Sequence, residues 1–513
     1  MSQFKDHEPI PVEEFNGLWD RGDQEDVPLD HFRDCDNLDT SRFGSGFMSR
    51  DGLGLHQNVA SPLQNIIRMH NYVMQSGYTL LVLTRDTTTS TTYNLYHVVN
   101  GTTVLGPIHT LTGMSTTPDF KCVSYAGRAY ISFFATFGSG DTAVEKGLQN
   151  EFVYVYAGDG TAIRKAAGTK PDESMDLTIT NSAASGYTDP GTHTFGVCFE
   201  TSSGFITAPG RLSSFTTVAD HGVDFADIPV SADPNVIARR LVASAVIPDF
   251  NGDTAGYTFY FIPDGRIANN SATTLSNISF YDADLLEDAS HLMDNYAEIP
   301  AGAALGLYQN RLCVGATYTD ISLALVSTAG EPEAISQIDG LLIIPLDGTA
   351  ITTFAELRDV LYVFKRAKTN AYSDNGDAPS TWPFTQIDQA FGCPVHGVAT
   401  VIDSGEISLD FLIVASYAGV MVFNGKYAIP ELSWKIQNLW FTQNREFFSR
   451  MQLCNDVISK SLFINLPDYT MLKADYSDGL DPMKIKWWPW SFTINVNTIA
   501  LTNIDDLIIG AGS

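Results

Sequence analysis

Positive charge is scarce in this sequence: 30 Lys and Arg stand against 59 Asp and Glu, a net charge of −29. That balance excludes broad basic surfaces for clamping phosphates, because such affinity depends on cationic side chains displacing counterions. Long apolar runs are missing too. The most apolar stretch, Phe411 to Phe423, is too short to span a bilayer as a helix. The opening MSQFKDHEPIPVEEF has no apolar h-region. The expectation is a soluble chain, made in the cytoplasm, with no membrane-spanning segment. Cysteine is sparse, at positions 35, 122, 198, 313, 393 and 454, with no CxxC pair. This spacing argues against a disulfide frame or a zinc site and for small buried hydrophobes in a reducing compartment. Glu/Lys/Leu runs of helical period are also absent, while Thr, Ser, Gly, Tyr and Phe are abundant, which favours an all-β protein.

Catalytic signatures are equally thin. The ten histidines form no HExxH or HxH motif. YAGVMVFNGKY resembles a phosphate loop only superficially, since five residues separate Gly419 from Gly425 and Tyr427 stands where Ser or Thr is required. DFNGDTAG (249–256) opens like a calcium loop but lacks the distal bidentate acid. Asp282, Asp284, Glu287 and Asp288 read as a solvated connection, although paired carboxylates for glycoside cleavage remain an alternative reading. No catalytic, metal or cofactor-binding residue is nominated, and the expectation is a protein that is not an enzyme.

What the sequence does contain is a repeat. RLCVGA starts at Arg311, DVLYVFKRAKTNAYS at Asp359, DFLIVASYAGVMVFNGK at Asp410, KSLFINLPDYTMLKADYS at Lys460 and DLIIGAGS at Asp506. The intervals are 48, 51, 50 and 46 residues. YTLLVLTRD at Tyr78 and RAYISFF at Arg128 are also 50 apart. Around each start, four strands can be sketched: GVATVI, FLIVASY, VMVFNG and AIPELSWKI in the clearest case. Four meandering strands per fifty residues is the pattern of a β-propeller blade. Two outer strands share a Trp-Pro-aromatic step, Trp382-Pro383-Phe384 and Trp488-Pro489-Trp490, where proline's missing donor suits an edge.

The expected fold is an all-β propeller of seven blades, with six as the alternative. An N-terminal arm occupies 1–50, the first blades 51–171 and the remaining blades 299–513. The segment 172–298, with short alternating strands and frequent turns, reads as an inserted β-sandwich of immunoglobulin or fibronectin-III type. The chain's last two strands would leave an open sheet edge. Strands from within Phe47 to Val59 are expected to complete that blade and close the ring.

The segment Glu13 to Gly54 carries Phe15-x-Gly17-Leu18, Arg21-Gly22-Asp23, Pro28, Cys35-Asp36-Asn37-Leu38 and Arg50 before Gly52-Leu53. It resembles the opening of the nozzle (tail-tube, DNA-stabilisation) proteins of short-tailed bacteriophages. NRLCVGA, LYVFKRAKTNAYS, FGCPVHGV and ASYAGVMVFNG resemble propeller segments of the same family. The resemblance implies a structural role in the virion tail. Six copies would form a ring below the portal-adaptor ring protein, in contact with tail fibre or spike proteins. The ring would retain the genome and conduct double-stranded DNA without sequence-specific binding. An acidic lumen would then repel phosphates at close quarters, within about 8 Å at physiological salt. Phe15, Trp19, Arg21 and Phe32 are the candidate docking anchors of the leader, which could equally serve as a blade-closing arm. The alternative reading is a carbohydrate-binding or polysaccharide-degrading propeller, with Trp487, Trp488 and Trp490 as stacking candidates, or another virion propeller in a baseplate or fibre.

Overall fold

The computed structural model describes Leu18, 38–40, 47–49 and residues 64–512, except 74–77, 87, 101–102, 140–142, 249, 251, 253–255, 295, 344–346, 388–390, 404–408, 427, 430–431 and 503–506. The architecture is all-β, built from many small antiparallel sheets.

Six sheets repeat one plan, in which successive strands pair with their sequence neighbours. Sheet I comprises Gln64–Val73, Tyr78–Asp86, Tyr93–Val99 and Thr103–Leu111. In sheet II, Pro118–Tyr125 and Arg128–Phe137 are followed by an interrupted third strand, Val144–Gly147 and Val153–Tyr156, and then Arg164–Lys165. Sheet III runs Gly302–Tyr308, Arg311–Thr317, Leu323–Thr328 and Glu331–Leu342. Sheet IV runs Ile351–Leu357, Val360–Lys365, Thr369–Tyr372 and Phe384–Gln386. Sheet V has Val398–Asp403, Leu409–Ser416, Gly419–Phe423 and Ala428–Ile429, and sheet VI has Gln452–Asp456, Ser461–Asn465, Met471–Asp475 and Lys486–Trp490. Sheet VII pairs Asn495–Leu501 with Leu507–Gly512 alone among the described residues.

The hairpin between the first two strands recurs because its turn recurs. Ala126-Gly127, Gln309-Asn310 and Arg358-Asp359 all adopt positive φ at both central positions. That backbone matches the right-handed twist of the flanking strands. A tyrosine ending the first strand then reaches the next sheet's turn. Tyr72 Oη donates to Gly127 O at 2.6 Å, and Tyr308 Oη to Asp359 O at 3.0 Å.

Each sheet touches the next. Ser132 Oγ donates to Gly302 O at 2.6 Å, joining II to III. Arg358 Nη2 donates to Asp410 O at 2.8 Å, joining IV to V, and Asn455 Nδ2 to Thr400 O at 2.9 Å, joining VI to V. Sheet VII returns to sheet I, where Asn497 Nδ2 donates to Ile66 O at 2.8 Å. Glycine permits the close approach of II to III: a Cβ on Gly147 would lie 1.8 Å from Ala301 O.

Three local expectations need correction. The outer strand expected over 428–436 stops at Ile429, and Leu432–Ile436 is a 3-10 helix leading into the α-helix Gln437–Thr442. Leu432, Ile436 and Trp440 recur every fourth residue and are all buried, so helical spacing wins over strand alternation. Trp382 precedes its strand, forming the C-cap of the 3-10 turn Pro379–Thr381. Phe47–Ser49, from the stretch expected to complete the C-terminal sheet, pairs instead with Leu38–Thr40. The rest of that stretch lies outside the described residues.

The insertion is two sheets sharing one apolar cluster that includes Phe195, Phe225, Leu241, Ile262 and Phe280. The sheet orders differ from the expected immunoglobulin type. Lettered A to G in chain order, the strands form C-B-E-F (Ser213–Thr217, Gly191–Thr201, Val236–Ser244, Phe259–Ile267) and A-D-G (Thr178–Ser185, His221–Ala226, Leu275–Ile278). An immunoglobulin constant domain groups ABED against CFG. Chain exit and return lie side by side. Ala166 N donates to Val153 O at 2.9 Å, and Val153 N donates to Ile299 O at 2.8 Å. The insertion therefore leaves the ladder of sheet II intact.

Candidate functional site

The first strands of sheets I, II, VI and VII and the approach to sheet V bring together a buried polar cluster. Its centre is Arg68, in the first strand of sheet I, QNIIRMHNYV. Arg68 Nε donates to Asp119 Oδ1 at 2.9 Å, and Nη2 donates to Oδ2 at 2.6 Å, a two-pronged ion pair across sheets I and II. Its Nη1 donates to Gln452 Oε1 at 3.0 Å, in sheet VI. That same oxygen accepts from Thr498 Oγ1 at 2.7 Å and from Ile499 N at 3.1 Å, in sheet VII. Thr498 Oγ1 in turn accepts Met69 N at 3.1 Å, which returns the chain of bonds to sheet I.

Around this centre lie His396, with Nε2 3.4 Å from Asp119 Oδ2, and His70, with Nε2 3.0 Å from Phe120 O. Lys121 Nζ donates to Val395 O at 2.8 Å. Burial disfavours the charged forms here. It lowers His70 to about 3, with Lys121 and Arg68 adding repulsion. It lowers Lys121 to about 8 and holds His396 well below the usual imidazole range. Burial alone would raise the Asp119 carboxyl, but Arg68 and His396 pull it far below the usual carboxylate range.

Burial pushes the Cys122, Cys393 and Cys454 thiols up to about 12, so they are not thiolates at neutral pH. Among the described residues, no three His, Cys, Asp or Glu side chains are grouped to hold a metal ion. Arg68 and Asp119 instead form part of the wall of an open cavity of ≈ 500 Å³. Phe447, Arg450, Asn465 and Tyr469 also line it.

The docking anchors Phe15, Trp19, Arg21 and Phe32 lie outside the described residues. Leu18, between two of them, is buried and donates its N–H to Trp487 O at 2.9 Å. The proposed sugar-stacking residues Trp487, Trp488 and Trp490 are buried in that same apolar cluster, so none presents a ring to solvent. Asp282 is committed locally, accepting Val246 N at 2.8 Å. Sequence reasoning missed Arg68, His70, Asp119 and Lys121. Their one shared feature in the sequence is spacing: Arg68 and Asp119, like His70 and Lys121, stand 51 residues apart, about one repeat.

No family model matches the sequence. No curated protein matches it either. Among solved structures, apo AztD from Citrobacter koseri aligns over 88% of this chain and 90% of its own, at 10% identity and a TM-score of 0.33. Hsv2 from Kluyveromyces lactis aligns over 83% and 97%, at 9% identity and a TM-score of 0.27. Sqt1 from Saccharomyces cerevisiae aligns over 84% and 96%, at 10% identity and a TM-score of 0.24. Similarity at this level assigns neither fold nor function. Among the described residues no helix is long and apolar enough to cross a membrane.

Proposed function

We propose that sheets I to VII are the blades of one seven-bladed β-propeller, and that the chain is a structural virion protein, the tail nozzle of a short-tailed phage. The bond chain from Arg68 through Asp119, Gln452 and Thr498 back to Met69 supports the first part, because it links the first two sheets to the last two. The two-sheet insertion would be a lateral module leaving and re-entering at one blade. The resemblance of the leader supports the second part.

The ion pair of Arg68 with Asp119 is the observation that carries the structural reading. A propeller cross-tied by such a hydrogen-bonded cluster would serve as a rigid wall unit. Under this reading DNA passes through the space enclosed by six copies, and the excess of acids keeps phosphates from sticking to that wall. Portal adaptor and fibre or spike proteins would be its neighbours.

Immunogold electron microscopy of phage particles, with antibody raised against the purified chain, tests the reading. Label at the distal part of a short tail is the expected result. Particles without label anywhere would overturn it.

A further inference from the structure

A small cavity of ≈ 50 Å³ lies where sheet II meets the insertion. Arg128, opening the second strand of sheet II, and Arg164, opening its outer strand, both line it, together with Ser202 and Ser203 of the insertion. Among the described residues that line it there is no carboxylate. Both guanidiniums are partly buried and anchored on adjacent residues of the insertion. Arg128 Nη1 donates to Ser203 O at 2.6 Å, and Arg164 Nη1 donates to Ser202 Oγ and to Asn235 Oδ1 at 3.4 Å. Arg164 makes these contacts through Nη1 alone. Its Nε and Nη2, the side-on edge that grips an oxyanion with two parallel bonds, are left without an acceptor among the described residues. Arg128 also meets the Tyr130 hydroxyl, and with five N–H donors it too keeps some unused.

Two acids act on this pair without closing it. Glu333 faces Arg128 and Asp159 faces Arg164, but neither lines the cavity. Glu333 accepts Ala167 N at 2.8 Å and the Tyr130 hydroxyl at 3.3 Å, and its burial raises the carboxyl, which favours the neutral form. Asp159 Oδ1 is taken by Thr161, whose N lies at 3.0 Å and Oγ1 at 2.6 Å.

Size and charge select the ligand. One water occupies about 10–15 Å³ of such space, so this cavity admits a group of a few heavy atoms and is too small to enclose a sugar ring. A planar carboxylate is satisfied by a single guanidinium fork, whereas a tetrahedral dianion has oxygens for two. We propose that this seam binds a phosphate dianion, free or as the terminal group of a monoester, between Arg128 and Arg164. In a chain of net charge −29 this is one recessed pair of cations, not a broad basic surface. The bound ion would hold both arginines on Ser202 and Ser203 and so fix the insertion against sheet II. The site stands independently of the nozzle reading: tail labelling and phosphate binding can each fail alone.

Isothermal titration of the full chain in chloride buffer at pH 7.5 with sodium phosphate, methyl phosphate and sodium acetate tests it. Phosphate is expected to bind at least tenfold tighter than acetate. Arg164→Gln and Arg128→Gln should each weaken phosphate binding at least tenfold with the far-ultraviolet spectrum unchanged. Methyl phosphate binding as tightly as phosphate assigns the site to the end of a monoester, and binding at least tenfold weaker assigns it to the free ion. Absence of phosphate binding, acetate binding as tightly as phosphate, or folded variants that bind like the native chain would overturn the proposal. The comparison with acetate decides it even where a variant does not fold.

Discussion

Arg68 and Asp119, one repeat apart in the sequence, form an ion pair with Nη2 and Oδ2 2.6 Å apart, their side chains 3% and 15% exposed, and Arg68 reaches Gln452 with the nitrogen that is left. Three sheets are therefore tied by one guanidinium. Its planar, fixed fork is what allows a single side chain to satisfy a carboxylate and an amide oxygen in different directions.

Removing the acid from this pair leaves a buried cation uncompensated. Asp119→Ala is expected to destabilise the chain by about 3–5 kcal/mol. Replacing both partners, as Arg68→Met with Asp119→Leu, removes the buried charge itself and is expected to recover most of that loss. Urea denaturation followed by Trp fluorescence reads both. A double variant as unstable as Asp119→Ala would show that the polar groups themselves, and not charge compensation, hold the sheets.

Stability should also fall in mild acid. Burial lowers His70 to about 3 and His97 to about 4, and lowers His396 as well. In the unfolded chain each takes a proton near pH 6.5. Between that value and the folded one, the unfolded state binds more protons, so stability is full above about pH 6.5 and declines below it. Each such histidine contributes about 1.4 kcal/mol per pH unit. Asp119, lowered in the fold, works in the same direction only below about pH 4, where its unfolded form protonates. Urea midpoints at pH 7.5 and 5.5 stay above the sequence pI of ≈ 4.5. The drop between them should be smaller in His97→Phe. An identical drop would assign the acid sensitivity elsewhere.

The repeat was legible because its determinants are local. Apolar first and second strands joined by a two-residue turn recur wherever pairs such as Gln309-Asn310 or Arg358-Asp359 take positive φ, and that turn sets the hairpin register. The helical segment was misread because Leu432, Ile436 and Trp440 follow a short strand and Pro430, so the strand pattern was carried too far. The buried cluster was not legible. Arg68 alone in a strand gives no sign that Asp119, Gln452 and Thr498 face it, since that proximity arises only when sheets I, II, VI and VII meet. The insertion was recognisable as strands and turns, but the pairing that sets C-B-E-F apart from an immunoglobulin order is a long-range property.

The approach of sheet II to sheet III makes a graded prediction. A methyl on Gly147 meets the Ala301 carbonyl, a backbone group that cannot rotate away. Gly147→Ala should therefore cost about 3 kcal/mol, as overpacking against immobile atoms does. Gly330 has a φ of +81° with open space around it, so Gly330→Ala should cost only about 1 kcal/mol of backbone strain. Thermal unfolding of the two variants should rank them in that order. A reversed rank would mean that the sheets can separate at little expense.

Leu18 supplies one described contact between the leader and sheet VI, beside that of Leu38–Thr40 with Lys486–Trp490. Its side chain is 6% exposed within the cluster of Trp487, Trp488 and Leu432, and its N–H donates to Trp487 O. Leu18→Asp puts a carboxylate among tryptophans, and burying a charge in that apolar cluster is too costly for the docked state to persist. The leader should then loosen around Leu18 while the sheets remain folded, since Leu18 lies outside their strands. Limited trypsin digestion should cut at Arg21 faster in the variant than in the native chain, with the far-ultraviolet spectrum unchanged. Equally fast cleavage in both would show that the leader is not held by Leu18. In that case the resemblance of residues 13–54 to a docking arm would have to be explained by contacts with another chain.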